Sequence, residues 1–275
     1  MTSPRVAVVL GGGGAKTAAH LGAARALAEA GIAPVRWIGT SMGAVMAVAL
    51  ASGDTPDAIL DRMVRLRRPD VLVPDRIGLL RGIWSRHVLK AGPLRATIAS
   101  VVAARRFADL RAPCTVTAVD VVTGDETAFG TDGADAPLLD VLAASCALPP
   151  YFPPVTINGR RYFDGGTRGQ VPLRQAERID CDVVVAIHTG PGFDETGTPV
   201  EVPPPLIALT DTAIGWLMAD SAALMRERWV ARPGAPPLVW IRPVHDRGAT
   251  FALDRAARYA EAGYRAMQQA LTELP

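Results

Sequence analysis

The 275-residue chain has the composition of a single soluble α/β domain rather than of a fibrous, disordered or membrane-spanning protein. Hydrophobic residues make up 49% of it and charged residues 20%, and no run reaches the roughly 18 apolar residues of a membrane span. Lys and Arg number 29 against 27 Asp and Glu, and this net charge of +2 excludes a globally basic, nucleic-acid-binding surface.

The cysteines and the amino terminus indicate a reducing environment. Cys114, Cys146 and Cys181 are odd in number and lack CxxC spacing, so we expect buried free thiols rather than disulfides or a zinc site. The first five residues pass directly into an apolar strand, which predicts no signal peptide and a cytoplasmic location.

Strand-like and helix-like segments alternate along the chain, which predicts a three-layer α/β/α fold with a mainly parallel central sheet. The predicted strands cover residues 5–10, 34–40, 113–120, 125–130, 161–163, 182–188 and 238–243. The predicted helices cover residues 16–30, 42–52, 56–68, 92–105, 137–146, 206–230 and 251–273. We expect one domain over 1–275, with the core motifs in 5–190 and a lid and strand–helix completion in 191–275.

A glycine-rich turn follows the first predicted strand. Four glycines at 11–14 precede Ala15 and Lys16, but a phosphate-binding P-loop would need glycine where Leu10 and Ala15 stand. A dinucleotide-binding turn fails because Thr17 occupies its last glycine position. The turn can instead present bare backbone N–H groups to an oxyanion, or it can be a structural turn only.

A serine between two glycines follows the second predicted strand. The sequence Gly39-Thr40-Ser41-Met42-Gly43 links an apolar run to a helix-like run. A strand that turns this sharply into a helix strains its central residue and exposes that side chain above the helix amino terminus. The motif predicts a nucleophilic serine, with a tight structural turn as the alternative.

A third motif, Asp164-Gly165-Gly166, ends the short strand predicted at 161–163. Asp-Gly pairs usually form turns. An aspartate at a strand end can also reach a neighbouring reactive group, and here the two glycines permit close packing against another backbone.

With three further matches, at 117–124, 144–154 and 171–173, these motifs make the chain resemble the patatin-like phospholipase family over nearly its whole length. The resemblance implies a Ser–Asp dyad, with Ser41 as nucleophile and Asp164 as base, and it implies no metal or cofactor. It also implies oxyanion donors at Gly12, Gly13 and Gly14, and motif-supporting positions at Lys16, Gly39, Gly43, Gly165 and Gly166. One departure is Thr17, where the family usually has glycine, so the opening of the site or the packing of the loop can differ.

The implied activity is cleavage of lipid carboxylic esters through an acyl-serine, as in phospholipases A, lysophospholipases and esterases. An aspartate near its usual pKa of about 3.9 is a weak base, so an apolar wall or a nearby carboxylate would have to raise that pKa. The alternatives are an acyltransferase or thioesterase, a non-catalytic lipid-binding relative, and an α/β-hydrolase triad that uses Asp182 with His188 or His245. We expect these two histidines, and also His20 and His87, to be surface or core residues.

Two segments have surface interpretations. Residues 62–90 mix cationic side chains with apolar ones, which is typical of a solvated helix or of peripheral contact with an anionic membrane. The segment 190–230 joins a Gly- and Pro-rich loop to an apolar helix that either packs in the core or forms a lid or acyl-chain wall. The expected partner is a lipid or another acyl ester, and the sequence does not indicate an oligomeric state.

Overall fold

A computed structural model describes residues 4–80, 82–85, 87–197 and 205–273, and it confirms the α/β prediction. The strands are β1 (Val6–Leu10), β2 (Arg36–Thr40), β3 (Cys114–Asp120), β4 (Glu126–Gly130), β5 (Val155–Ile157), β6 (Arg160–Asp164), β7 (Val183–Ile187) and β8 (Leu238–Ile241). The helices are α1 (Ala18–Glu29), α2 (Met42–Ala51), α3 (Pro56–Val64), α4 (Arg68–Val71), α5 (Arg76–Leu80), α6 (Ala91–Val101), α7 (Leu138–Ser145), α8 (Pro205–Ala231) and α9 (Ala256–Leu271).

The strands form one sheet in the order β5-β6-β3-β2-β1-β7-β8, with β4 paired to β3. The pairs from β3 through β2, β1 and β7 to β8 are parallel. The pairs β3–β4, β3–β6 and β5–β6 are antiparallel. Because the five parallel strands point the same way, their carboxyl ends share one edge of the sheet, and the loops that follow them converge there.

Strand β3 aligns the ends of two other strands. Its Thr117 pairs with Thr40 at the end of β2, and the next residue, Ala118, pairs with Asp164 at the end of β6. Strand β4 pairs with both Thr117 and Ala118, so it occupies the opposite edge of β3. Strands β2 and β6 therefore run towards each other along one edge, and the residues at their ends meet.

Both faces of the sheet are covered, which gives the three layers. In β1, Val6, Val8 and Leu10 pack into a large cluster with α1, α2 and α9, whereas Ala7 and Val9 pack into a smaller cluster with α8. This alternation follows from the two-residue period of a strand. Every residue of β1 is buried, as expected for a central parallel strand covered on both sides.

Several element boundaries differ from the sequence prediction. The helix predicted at 16–30 starts at Ala18, after a 3₁₀ turn over Gly14–Thr17 in which Ala15 N–H donates to Thr250 O. The helix predicted at 56–68 ends at Val64, and a separate short helix follows with Pro69 in its first turn, because proline cannot continue a helix hydrogen-bond ladder. The short strand β5 was not predicted.

The apolar helix predicted at 206–230 is α8, and only one side of it lies in the core. Met218, Met225 and Trp229 are buried, while Leu209 and Leu217 are largely exposed. Residues 198–204 of the predicted Gly- and Pro-rich segment lie outside the described residues. All three cysteines are free; Cys114 and Cys146 are buried as expected, and Cys181 is only half-buried.

Candidate active site

Ser41 lies between β2 and α2 in a strained backbone conformation. Its φ is +53° and its ψ is −137°, a region that costs a non-glycine residue on the order of 1–3 kcal/mol. The flanking glycines allow this turn, since a Cβ at Gly39 would lie 2.5 Å from the Ala44 Cα and one at Gly43 would lie 2.3 Å from the Gly11 carbonyl oxygen. The Ser41 side chain therefore stands at the amino terminus of α2, where the helix dipole favours negative charge.

The Ser41 backbone is held from the side by Ser145. The Ser41 N–H donates to Ser145 Oγ at 2.8 Å, and Ser145 is fully buried at the end of α7. Ser145 lies within the 144–154 match, but sequence reasoning gave it no role, because a serine in an apolar helix carries no signal of a contact 104 residues away. It is a side-chain acceptor that stabilises the strained turn.

Ser41 and Asp164 are directly hydrogen-bonded. Ser41 Oγ donates to Asp164 Oδ2 at 2.7 Å, while the Gly166 N–H donates to Asp164 Oδ1 at 2.8 Å. A Cβ at Gly165 would lie only 2.3 Å from Thr40 Oγ1, so glycine is required for this approach of the two strand ends. The carboxylate therefore has one oxygen held by the backbone and the other directed at the serine hydroxyl.

Burial changes the acidity of this carboxylate. Asp164 is 1% exposed, and loss of water around it raises its pKa from 3.8 to about 7, although hydrogen bonds from Ser41 and the Gly166 N–H act in the opposite direction. The apolar surroundings, rather than a second carboxylate, cause the shift. A carboxylate with such a pKa can accept a proton near neutral pH.

The glycine-rich turn lies beside Ser41, but its three glycines differ. A Cβ at Gly12 would lie 3.1 Å from the Ser41 Cβ, which places this backbone against the serine. The Gly12 N–H, however, already donates to Gln170 O at 3.1 Å, so the prediction of Gly12 as an oxyanion donor does not fit this conformation. Within the described residues, the Gly13 and Gly14 N–H groups have no protein acceptor.

The conformation of the turn depends on glycine at both remaining positions. Gly14 has a φ of +57°, and a Cβ there would lie 2.1 Å from Thr250 O. At Gly13 a Cβ would lie 2.4 Å from Thr189 O. The loops that follow β7 and β8 therefore pack against the glycine-rich turn, and this packing fixes the orientation of its backbone N–H groups.

Lys16 and Thr17 make their contacts away from the Ser41–Asp164 pair. Lys16 is buried, its Nζ lies 2.8 Å from Glu195 Oε1, and burial lowers its pKa although Glu195 opposes that change. Thr17 is also fully buried, and its Oγ1 donates to Gly14 O at 2.6 Å. The Thr17 side chain therefore lies inside the protein, bonded to the glycine-rich turn, and does not line a solvent-exposed opening.

The four histidines have partners other than Ser41 in the part of the chain that is described. His20 lies against Gly11 O, His87 against Asp75, His188 against Arg242 and His245 against Asp194. Asp182, the other candidate triad acid, accepts from the Arg5 N–H at the opposite end of β7. Burial lowers the pKa of His20 to about 4, so this ring is neutral at pH 7.

The described residues do not bring together three or more His, Cys, Asp or Glu side chains that could hold a metal.

A comparison over the region that contains all three motifs shows to which family the chain belongs. A model of the patatin-like phospholipase family matches residues 8–177, more than half of the chain. The chain belongs to the patatin-like phospholipase family. Among its relatives, an uncharacterized NTE family protein of Mycobacterium tuberculosis is 29% identical over 198 residues, which are 70% of this patatin-like chain and 52% of that protein.

A further relative agrees with this assignment, and two solved structures share the fold. Patatin-like phospholipase domain-containing protein 7 of Rattus norvegicus is 33% identical over 71% of this chain, which corresponds to 14% of that protein. The fold is similar to that of human GIVD cytosolic phospholipase A2, with a TM-score of 0.52 at 11% identity over 98% of this chain and 59% of that one. VipD from Legionella pneumophila gives 0.50 at 15% identity, over 99% and 67%. The patatin-like chain thus spans about half the length of the mycobacterial relative and a much smaller part of the mammalian one.

Proposed function

We propose that the protein is a serine hydrolase that cleaves carboxylic esters of lipids with a Ser41–Asp164 dyad. The observation that carries the proposal is the 2.7 Å hydrogen bond from Ser41 Oγ to a buried carboxylate whose pKa is raised to about 7. Membership of a family named for phospholipases supports lipid esters as the substrate class.

In the proposed reaction, Ser41 Oγ attacks the ester carbonyl carbon while its proton passes to Asp164 Oδ2. The Gly13 and Gly14 N–H groups donate to the oxyanion of the tetrahedral intermediate, a contribution of about 10²–10³ in rate for one donor. Collapse of the intermediate breaks the ester C–O bond, and Asp164 returns the proton to the leaving alcohol. Water then attacks the acyl-serine by the same route and releases the fatty acid.

The function is tested by turnover of a substrate panel by the purified protein. We expect hydrolysis of p-nitrophenyl acyl esters and release of fatty acid from phosphatidylcholine or lysophosphatidylcholine, without added metal. Preference for an acyl thioester, or transfer to an added alcohol in place of water, would replace lipid hydrolysis by a thioesterase or acyltransferase function. Absence of turnover on every acyl donor would indicate the non-catalytic alternative.

The raised pKa of Asp164 predicts a pH dependence. The base must be ionised, so kcat/KM for a p-nitrophenyl ester should fall as pH decreases through about 7, to roughly one hundredth of its plateau at pH 5. The measurement is the pH–rate profile of the soluble ester, with circular dichroism at each pH to verify folding. A rate that stays flat down to pH 5 would contradict the role of Asp164 as base.

A further inference from the structure

Helix α8 is much longer than the strands it connects. It has 27 residues, which at about 1.5 Å per residue span about 40 Å, whereas the five residues of β7 span only about 17 Å. Because α8 joins the parallel strands β7 and β8, it runs back antiparallel to them, and its carboxyl-terminal half packs on the sheet through Met225 and Trp229. Its amino-terminal half therefore projects past the carboxyl ends of the strands, at the edge where Ser41 lies.

Contacts tie this projecting half to the site. A Cβ at Gly166, two residues after Asp164, would lie 3.1 Å from Met218 Cε. Nearer its start, α8 comes close to Tyr151, since burial and the nearby Asp211 carboxyl together raise the pKa of the Tyr151 hydroxyl. The chain that carries Tyr151 is also close to the dyad, since Asp164 N–H donates to Ala147 O at 3.1 Å.

The outer face of the projecting half is apolar and uncovered. Leu209, Trp216 and Leu217 are 69%, 42% and 71% exposed, and their seven- and eight-residue spacings put them on one side of the helix. Phe193, 64% exposed, stacks on Trp216 with ring centres 5.6 Å apart. Asp220, which is also exposed, interrupts this face before Leu224, which is 43% exposed.

A second projection with exposed apolar residues is bound to the backbone at Tyr151. The Val88 and Leu89 N–H groups donate to Pro150 O and Tyr151 O, which anchors the segment that contains α5. At its tip Leu80 and Trp84 are 89% and 81% exposed. Both projections therefore lie near Tyr151, on a chain segment that also contacts Asp164 through Ala147.

The charges around both projections suit a lipid headgroup layer. The Arg247 guanidinium lies 5.5 Å from the centre of the Trp216 ring, and Arg76 and Lys90 are exposed on the second projection. Aromatic rings beside cations match the interfacial zone of a phospholipid membrane, where apolar and charged groups are both stabilised. Two further basic residues of this segment, Arg81 and Arg86, lie outside the described residues. No helix among the described residues is long and apolar enough to cross a bilayer.

We propose that these two projections form a docking surface for a phospholipid bilayer, defined by Leu80, Trp84, Phe193, Trp216 and Leu217. Docking would bring the dyad against the membrane surface, so the idea rests on the proposed function for its purpose. The binding itself can be measured without turnover.

The experiment compares a double variant within the docking surface with a single variant at an exposed apolar residue outside it. The test protein carries Leu217→Ser and Trp84→Ser, and the control carries Val230→Ser, which is 72% exposed at the other end of α8. Flotation with vesicles of phosphatidylcholine and phosphatidylglycerol, in a Ser41→Ala background, measures binding alone. We expect the double variant to partition at least about tenfold more weakly, since each buried large apolar side chain is worth roughly that factor, and the control to bind like its parent.

Activity with Ser41 present separates the two proposals. The double variant should hydrolyse a soluble p-nitrophenyl ester at the parental rate and lose activity on vesicles only. Equal flotation of all the proteins, or no flotation of the parent, would overturn the docking surface while leaving the ester assay as an independent test of function. A change of oligomeric state in light scattering without a change in flotation would also overturn it, because the surface would then join two copies of the chain.

Discussion

Ser41→Ala is expected to lower kcat for ester hydrolysis by at least about 10³-fold, because the attacking oxygen is removed and no other hydroxyl is hydrogen-bonded to Asp164 Oδ2 in the described structure. Alanine fills the same strained position without new bulk, so the fold should persist. The measurement is steady-state turnover of a p-nitrophenyl ester together with a thermal melt.

Ser52→Ala is a matched control for this substitution. Ser52 ends the same helix, and its Oγ donates to Val48 O at 2.7 Å, so it resembles Ser41 in type and element but is not part of the site. The control should retain parental turnover. A folded Ser41→Ala protein with parental activity would remove Ser41 from the reaction.

Asp164→Asn is expected to reduce kcat by at least about 10²-fold, because an amide cannot accept the serine proton. Its oxygen can still accept from the Gly166 N–H, so the local hydrogen bond at 2.8 Å is retained. The matched control is Asp211→Asn on α8. It changes a partly buried carboxyl whose pKa is also raised by burial, and it should keep most of the activity. His245→Ala should also remain active; a loss above about 10³-fold there would support the triad instead.

Asp164→Asn also has a predictable effect on the pH dependence of the free energy of unfolding. The folded pKa of Asp164, about 7, exceeds its ordinary value of 3.8, so the favourable proton uptake of the folded state is fully present below pH 4 and is lost as pH rises through 7. About three pKa units correspond to about 4 kcal/mol as an order of magnitude. Asp164→Asn lacks this titration, so its free energy of unfolding relative to the parent should rise between pH 5 and pH 8. Urea denaturation at both pH values checks this. A reversed trend would mean that folding does not raise the pKa of Asp164.

Much of the site could be predicted because glycine patterns report backbone strain directly. Gly39 and Gly43 flank a turn that other residues cannot form, and the sequence placed Ser41 between them at a strand–helix junction. The mainly parallel sheet followed from the alternation of strands and helices. The contact between Ser41 and Asp164 could not be derived from that alternation, because it depends on β6 running antiparallel along the same edge of β3 as β2.

What sequence reasoning missed depends on distant contacts. The Gly12 N–H donates to Gln170 O, and Gln170 is 158 positions away in the sequence. The motif alone makes all three glycines equal candidates for oxyanion donors. Ser145 supports the Ser41 backbone from another helix. Buried and exposed apolar residues are adjacent along α8, as Met225 and Leu224 show, so hydrophobicity along the chain does not separate its core face from its surface face.

The most direct test of the account is the rate at which an alkyl fluorophosphonate labels the protein, measured by intact mass and peptide mapping across pH. We expect one adduct, on Ser41, that forms more slowly as pH falls through about 7 and is strongly suppressed in Asp164→Asn. An adduct that persists in Ser41→Ala, or labelling of Ser41 that is independent of both pH and Asp164, would contradict it.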